Sequence, residues 1–151
     1  MIGITEHSFE TDRHKTFYLA AGPSDGPMIF LLHGWPELSL SWRHQLLSLG
    51  GLGFRAIAPD MRGYGSSSIY PEHSSYAIRE VVADMCELSS SFTCEPVIWV
   101  GHDWGSPVVW SIVRHHPEKV AGVVSLCVPM GLEEGLSLEL IDRSIYPKKE
   151  Y

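Results

Sequence analysis

Short apolar runs alternate with stretches of helical periodicity along most of this chain, and this alternation limits the possible fold more than any other feature. Strands are predicted at 16–21, Met28–Leu32, 54–58, 97–100 and 120–128. Apolar residues recur at helical spacing in the stretches 42–49, 75–91 and 104–116, and the first of these helices is expected to end at Gly50, Gly51 and Gly53. Short strands that alternate with helices form parallel crossovers, so the sequence predicts an α/β fold with a doubly wound, mostly parallel sheet.

Composition narrows the class of protein. The chain has 151 residues, 44% of them hydrophobic, which is enough for one domain with a core. Its net charge of −7 disfavours nucleic acid and anionic membrane surfaces as partners. We find neither a secretory signal nor an apolar stretch of about 20 residues that would span a bilayer. The spacing of Cys86, Cys94 and Cys127 fits no zinc site or redox pair, so we interpret them as free thiols of a cytoplasmic protein.

The strongest functional signal follows the strand at 97–100, in the sequence Gly101-His102-Asp103-Trp104-Gly105. A potential nucleophile between two small residues, on a turn from strand to helix, is typical of a nucleophile elbow. Glycine at both flanks relieves the steric clash of so tight a turn, and the central side chain projects beyond the sheet edge. Asp103 could therefore attack an sp3 carbon and form an ester. The alternative is that Asp103 only caps the following helix.

A second signal, His33-Gly34-Trp35-Pro36-Glu37, follows the strand Met28–Leu32. A loop at this place supplies one donor of an oxyanion hole, so we expect the backbone N–H of Trp35 to face the site together with that of Trp104. Gly34 would let the backbone pass closely, and Pro36 would fix the turn, with a cis peptide bond as one option. His33 belongs to the same supporting loop.

The remaining polar residues near these loops are interpreted as structural. Asp60 and Arg62 lie in a turn-rich segment after the strand at 54–58 and are expected to brace neighbouring loops. The side chain of His102 is expected to point away from Asp103 and to form a hydrogen bond. The eight histidines are scattered, so we predict no metal site. Three tryptophans are assigned to the core: Trp42, Trp99 and Trp110.

Three motifs, HGWPE, DMRGYGSSS and GHDWGS, occur in this order and resemble the motifs of the α/β-hydrolase superfamily, particularly its epoxide hydrolases. The resemblance extends from about residue 16 to residue 129. It implies that residues 1–130 are the N-terminal part of an α/β-hydrolase core. The segment 131–151 resembles the start of the cap, or lid, domain of that family.

The resemblance also implies a mechanism. Asp103 would attack a carbon of a small apolar epoxide and form an alkyl ester, while two cap tyrosines protonate the ring oxygen. A histidine held by a second carboxylate would activate water, the amides of Trp35 and Trp104 would hold the oxyanion, and a vicinal diol would leave. No metal or organic cofactor is implied. The family's base histidine and its acidic partner follow the cap, and no histidine here matches that base, so we expect activity to need a longer chain.

Other interpretations remain open at this point. A haloalkane or haloacid dehalogenase uses the same aspartate ester, and the indole N–H of Trp104 could bind halide. A serine esterase is disfavoured because the elbow holds no serine. The chain could also be an inactive, truncated remnant, or a half-fold that binds a partner. An uncovered sheet edge after the strand at 120–128 would then favour self-association.

Overall fold

The computed structural model describes residues 3–129 and contains, in that part of the chain, six strands and three α-helices. The strands are β1 (Thr5–Glu10), β2 (Lys15–Ala21), β3 (Met28–Leu32), β4 (Arg55–Pro59), β5 (Val97–His102) and β6 (Val120–Leu126). The helices are α1 (Arg43–Gly51), α2 (Ile78–Phe92) and α3 (Gly105–His115). Short 3₁₀ helices occupy Ser39–Trp42, His73–Tyr76 and Pro117–Lys119.

All six strands belong to one sheet, in the order β1-β2-β4-β3-β5-β6. Strands β4, β3, β5 and β6 run parallel, whereas β2 is antiparallel to both β1 and β4. This confirms the predicted α/β fold and mostly parallel sheet. Strand β1 was not predicted from the sequence, because its residues are largely exposed and carry no continuous apolar run.

Both faces of the sheet carry core residues, because successive side chains of a strand point to opposite faces. Phe30 and Leu32 of β3 pack in a cluster with the apolar side of α2 and α3. Ile29 and Leu31 pack in a second cluster with Trp42 and the α1 side. Helices therefore cover both faces, as expected of a doubly wound sheet.

Helix α1 ends inside the glycine cluster that was predicted to stop it, but at the second of these glycines and not before the first. The helix begins one residue later than predicted, after a 3₁₀ turn, and continues through Gly51. A Cβ at Gly50 would lie 2.9 Å from the backbone nitrogen of Gly22, so this glycine serves a close approach between the helix and the turn after β2. Of the three glycines in this cluster, only Gly53, at φ +93°, adopts a backbone conformation that L side chains avoid.

Helix α2 also begins later than predicted. Residues His73–Tyr76 form a separate 3₁₀ turn, and Ala77, at ψ 144°, interrupts the helical conformation before α2 starts at Ile78. The interruption places Tyr76 and Ile78 on a wall near the carboxyl edge of the sheet, where both line a cavity.

The last strand differs from the central ones. It ends at Leu126, two residues earlier than predicted, and its burial pattern is mixed, with Val123, Val124 and Leu126 exposed. Trp42 and Trp99 are buried as predicted, but Trp110 is only partly buried and donates from Nε1 to the carbonyl of Val128. No helix within residues 3–129 is long and apolar enough to cross a membrane. The predicted start of a cap at 131–151 lies outside the described residues.

Candidate active site

Asp103 occupies a tight turn between β5 and α3. Its φ is +49°, a left-handed conformation that is uncommon for residues other than glycine and that marks local backbone strain. The glycines on either side are required by space. A Cβ at Gly101 would lie 2.5 Å from the carbonyl oxygen of Gly105, and a Cβ at Gly105 would overlap the carbonyl oxygen of Leu32. The backbone geometry is thus that of the predicted elbow.

The carboxylate of Asp103 is held by a neighbouring loop. The backbone N–H of Trp35 donates to Asp103 Oδ1 over 2.9 Å. Backbone hydrogen bonds from Trp35 and then Trp104, followed by the charge of His102, lower the pKa of Asp103 below its ordinary value, so the group is ionised at neutral pH. The two amides that the sequence indicated as oxyanion donors therefore both act on this carboxylate.

The alternative role of Asp103 as a helix cap finds no support in the hydrogen bonds. A capping carboxylate accepts from the backbone N–H of the second or third helical residue. Here the N–H of Ser106 donates to the backbone carbonyl of Asp103, at 3.0 Å, and α3 has no side-chain cap. The carboxylate is directed to Trp35 instead.

The loop that supplies the Trp35 amide is tightly fitted to the elbow. The Trp35–Pro36 peptide bond is cis. A Cβ at Gly34 would lie 2.5 Å from the Cβ of Asp103, so only glycine lets the loop approach this closely. The position of the Trp35 donor thus depends on the small residue beside it.

Glu37 ties this loop to β5, the strand that leads into Asp103, and this role was not predicted from the sequence. Its Oε2 accepts the N–H of Gly34 at 3.2 Å and lies 3.0 Å from Nδ1 of His102. His102 therefore forms a hydrogen bond, as predicted, with a partner on the neighbouring loop. The only sequence signal for Glu37 was its place in the HGWPE motif.

His33 joins the loops after β3 and β4 from beneath. Its side chain is fully buried, and its Nε2 accepts the N–H of Met61 at 3.0 Å. Because Nε2 is an acceptor, the proton lies on Nδ1, which donates to the carbonyl of Gly34 at 2.8 Å. Burial lowers the pKa of His33, which keeps the ring in this neutral form.

Asp60 and Arg62 brace the surrounding loops, in agreement with their structural interpretation. Asp60 accepts the N–H groups of Ser39 and Ser66, at 2.8 and 3.1 Å. The guanidinium of Arg62 donates twice to Asp84, at 2.7 and 2.8 Å, and the hydrogen bond to Asp84 is the main reason its pKa is raised. Asp84 is fully buried in α2, and helical periodicity alone gave no indication of its partner.

A cavity of about 560 Å³ opens beside Asp103. Its walls come from both tryptophans whose amides act on Asp103, from the loop after β4, and from α2 and α3. The lining residues are Trp35, Met61, Arg62, Gly63, Tyr64, Tyr76, Ile78, Val81, Trp104 and Val108. The charge of Asp103 reaches this cavity, because it adds to the effect of burial in raising the pKa of Tyr64.

Comparison with known proteins places the chain in a family. The model of the alpha/beta hydrolase fold matches residues 27–149. The chain belongs to the α/β-hydrolase family. Among its relatives, epoxide hydrolase B of Mycobacterium tuberculosis is 47% identical over 113 residues, which make up 74% of this chain and 32% of that protein. Epoxide hydrolase A of the same organism is 41% identical over 125 residues, or 83% of this chain and 39% of that one.

Comparison with solved structures supports the same relationship. The crystal structure of the epoxide hydrolase VrEH1 from Vigna radiata superimposes with a TM-score of 0.80 and 41% identity, over 83% of this chain and 39% of that chain. This member of the α/β-hydrolase family is therefore similar to epoxide hydrolases in both sequence and fold. It spans less than half the length of each of these relatives.

Neither a metal-binding cluster nor a hydrogen-bonded histidine accompanies Asp103 within residues 3–129. Between residues 3 and 129, no cluster of three or more histidine, cysteine or acidic side chains is arranged to hold a metal ion. In the same part of the chain, no histidine forms a hydrogen bond to Asp103, and the nearest histidine in sequence, His102, is engaged by Glu37. Asp103 and its two amide donors are thus together, and no histidine among the described residues is hydrogen-bonded to the Asp103 carboxylate.

Proposed function

We propose that Asp103 is the nucleophile of an epoxide hydrolase reaction, and that Trp35 and Trp104 provide its oxyanion hole. The observation that carries this proposal is the Asp103 carboxylate itself, which projects from a strained elbow while the amide of Trp35 holds one of its oxygens at 2.9 Å. An ionised carboxylate in fixed orientation is suited to attack on an sp3 carbon.

The proposed reaction has two steps. In the first, a carboxylate oxygen forms a bond to an epoxide carbon, the ring C–O bond breaks, and the ring oxygen takes up a proton, which leaves a hydroxyalkyl ester on Asp103. In the second, water attacks the ester carbonyl carbon, and the amides of Trp35 and Trp104 stabilise the oxyanion. Collapse of this intermediate releases a vicinal diol and regenerates the carboxylate.

Within residues 3–129 no histidine forms a hydrogen bond to Asp103 as a base for the water, and the resemblance assigns the proton donors to the cap. We therefore propose that full turnover needs groups from a longer chain. In this proposal, residues 1–130 are the N-terminal part of the hydrolase core, and residues 131–151 begin the cap. The three cysteines are free thiols, which supports a cytoplasmic location.

The test is the mass of the intact 151-residue chain after incubation with 1,2-epoxybutane. We expect a stable increase by one reagent mass, located at Asp103 by peptide mapping, because an ester without an activated water persists. The Asp103→Asn variant should lose this modification, while any background reaction at cysteines should remain in both proteins. Equal labelling of this peptide in the unchanged chain and in the Asp103→Asn variant would rule out the nucleophile assignment.

A dehalogenase reaction is the second candidate, supported by the indole of Trp104, which is exposed and lines the cavity. An indole N–H can donate to a halide as it leaves. Incubation with 1-bromobutane distinguishes the two reactions, because a dehalogenase nucleophile releases bromide and acquires a butyl group. Labelling of Asp103 by the epoxide at least ten times faster than by the bromide would favour the epoxide hydrolase.

The exposed edge strand suggests an additional property, and we propose that the chain self-associates through β6. The strand is the last in the sheet order, and its sequence Val120–Leu126 contains no charge and no proline that would discourage strand pairing. A molecular mass that rises with protein concentration in sedimentation experiments would support this, and a strict monomer would contradict it.

A further inference from the structure

We propose that the cavity beside Asp103 receives an aromatic substituent of the substrate, and that Ile78 limits the size of that substituent. This inference rests on the proposed function, since it describes the bulk of the molecule whose epoxide carbon Asp103 attacks. It names Ile78 as a specificity-determining residue.

The size and the walls of the cavity suit an aromatic group. Its volume of about 560 Å³ lies within the range of about 300–1,000 Å³ that is usual for organic ligand sites. Four of the ten lining residues are aromatic: Trp35, Tyr64, Tyr76 and Trp104. Aromatic rings prefer edge-to-face and offset contacts with one another, so these walls favour a phenyl group over a saturated ring of similar size.

The charged side chain in the lining is already neutralised. Arg62 is held by Asp84 and donates to the carbonyl of Ser75 at 2.9 Å. Its guanidinium is therefore not available as the main partner of an anionic ligand, and a charged substituent would lose its hydration without compensation. This disfavours carboxylated or phosphorylated substituents.

Tyr76 forms a fixed wall. Its hydroxyl accepts the N–H of Tyr70 at 2.7 Å and donates to the carbonyl of the same residue at 2.8 Å. Its ring lies against Gly63, where a Cβ would come within 2.5 Å of the ring atom Cε1. Because both ends of this side chain are fixed, its ring limits the cavity rigidly.

Ile78 is the wall residue that a substitution can change without disturbing the core. It is the first residue of α2, lines the cavity, and remains 40% exposed. A larger side chain at this position would extend into the cavity from its rim. Ile69 provides a matched control, because it is also a surface isoleucine, 73% exposed, and does not line the cavity.

The experiment uses unreactive diols, so that binding is measured independently of ester formation. Ligand-observed NMR titrations of the 151-residue chain would compare 1-phenylethane-1,2-diol, 1-cyclohexylethane-1,2-diol and butane-1,2-diol. We expect the phenyl compound to bind about threefold or more tighter than the cyclohexyl compound. Ile78→Trp should weaken binding of the phenyl compound at least about tenfold and leave butane-1,2-diol within about threefold, whereas Ile69→Trp should change neither by more than about twofold.

The second variant, Ile78→Gln, keeps a similar length and suits a partly exposed helix position, so it serves if the tryptophan variant does not fold. This variant should weaken binding of the phenyl compound more than binding of butane-1,2-diol. Equal affinities for the three diols, or equal effects of substitutions at positions 78 and 69, would overturn the inference. Failure of the proposed function is seen separately, as absence of Asp103 labelling by 1,2-epoxybutane, and does not alter the diol result.

Discussion

The carboxyl ends of β3 and β5 and the outer strand β6 form two contrasting regions of one sheet. Around Asp103, His33 and Glu37 connect neighbouring loops through hydrogen bonds, all within the described residues. Strand β6, in contrast, leaves Val123, Val124 and Leu126 exposed. Among the described residues, contacts between loops that are distant in sequence hold Asp103 and the amide of Trp35 in place, whereas three apolar side chains of β6 stay exposed.

The substitution with the largest expected effect on this contrast lies at the elbow. Gly105→Ala would add a methyl group that overlaps the carbonyl oxygen of Leu32. The same methyl group would also lie too close to the carbonyl oxygen of His33. Neither backbone can move without shifting a central strand or its loop, so we expect a loss of about 1–3 kcal/mol in the free energy of unfolding, measured in urea. Labelling of Asp103 should fall by at least about tenfold, because the elbow carries the carboxylate.

The matched control is Gly51→Ala in α1. A Cβ at Gly51 meets no atom within 4 Å, and the residue lies inside a helix. We expect this variant to gain about 0.4–1 kcal/mol in unfolding free energy and to keep normal labelling. If both alanines had the same effect on labelling, the elbow would not depend on the close approach described here.

A smaller effect is expected from substitution of Glu37, which contacts the loop after β3 and not Asp103 itself. Glu37→Ala removes the acceptor shared by Gly34 and His102, and we expect about 1–2 kcal/mol lower stability, moderated by partial exposure of the carboxylate. Labelling of Asp103 should slow about tenfold, because the Trp35 donor loses its support.

Two further variants separate the position of Glu37 from its charge. Glu37→Gln keeps an accepting oxygen and should retain most of the labelling rate. Glu118→Ala removes an exposed carboxylate elsewhere and should change nothing measurable. If Glu37→Ala were labelled as fast as the unchanged chain, the loop would keep its shape without the hydrogen bonds of Glu37.

The buried histidine predicts a dependence of stability on pH. Burial lowers the pKa of His33 from its ordinary value of 6.5, so between that value and the lowered one the unfolded chain binds a proton that the folded chain does not. Stability is therefore complete above about pH 6.5 and declines as pH falls toward the lowered pKa. Burial lowers the pKa of His14 as well, so this residue adds a second decline in stability as pH falls.

Urea unfolding at about pH 7.5, 6.5 and 5.5 would measure this decline. His33→Gln, whose amide can donate to one neighbour and accept from the other, should reduce the decline without abolishing it, because His14 remains. The lowered pKa of Asp103 acts at more acidic pH and does not interfere in this range. An unchanged pH dependence in His33→Gln would show that this ring is not the responsible group.

Local patterns in the sequence predicted the elbow well, because its requirements are local. Two glycines on a turn from strand to helix determine where Asp103 projects, and all three residues lie within five positions of one another. The strand β1 was missed because its side chains are mostly exposed, so its pairing with β2 leaves little apolar signal. Pairing through the backbone does not require such a signal.

Contacts between distant parts of the chain could not be predicted in the same way. Asp84 is buried against Arg62, and Tyr76 reaches the cavity only because the chain leaves the helical conformation at Ala77. Helical periodicity over 75–91 suggested one uninterrupted helix, which would have hidden the wall that these residues form. The roles of Asp84 and Tyr76 depend on neighbours in three dimensions, and the spacing of residues in the sequence does not reveal those neighbours.

The smallest expected effect on stability comes from a substitution on the outer strand β6. Val124→Lys introduces a charge at a position that is 45% exposed, so we expect the unfolding free energy to change by no more than about 0.5 kcal/mol. Pairing of β6 with a second copy would bury that charge, so self-association measured by sedimentation should fall at least about tenfold. Leu52→Lys, at a more exposed position outside the sheet, is the control and should leave association unchanged. Equal association of the two lysine variants would place the contact elsewhere, and the exposed edge of β6 would then have to be stable without a partner.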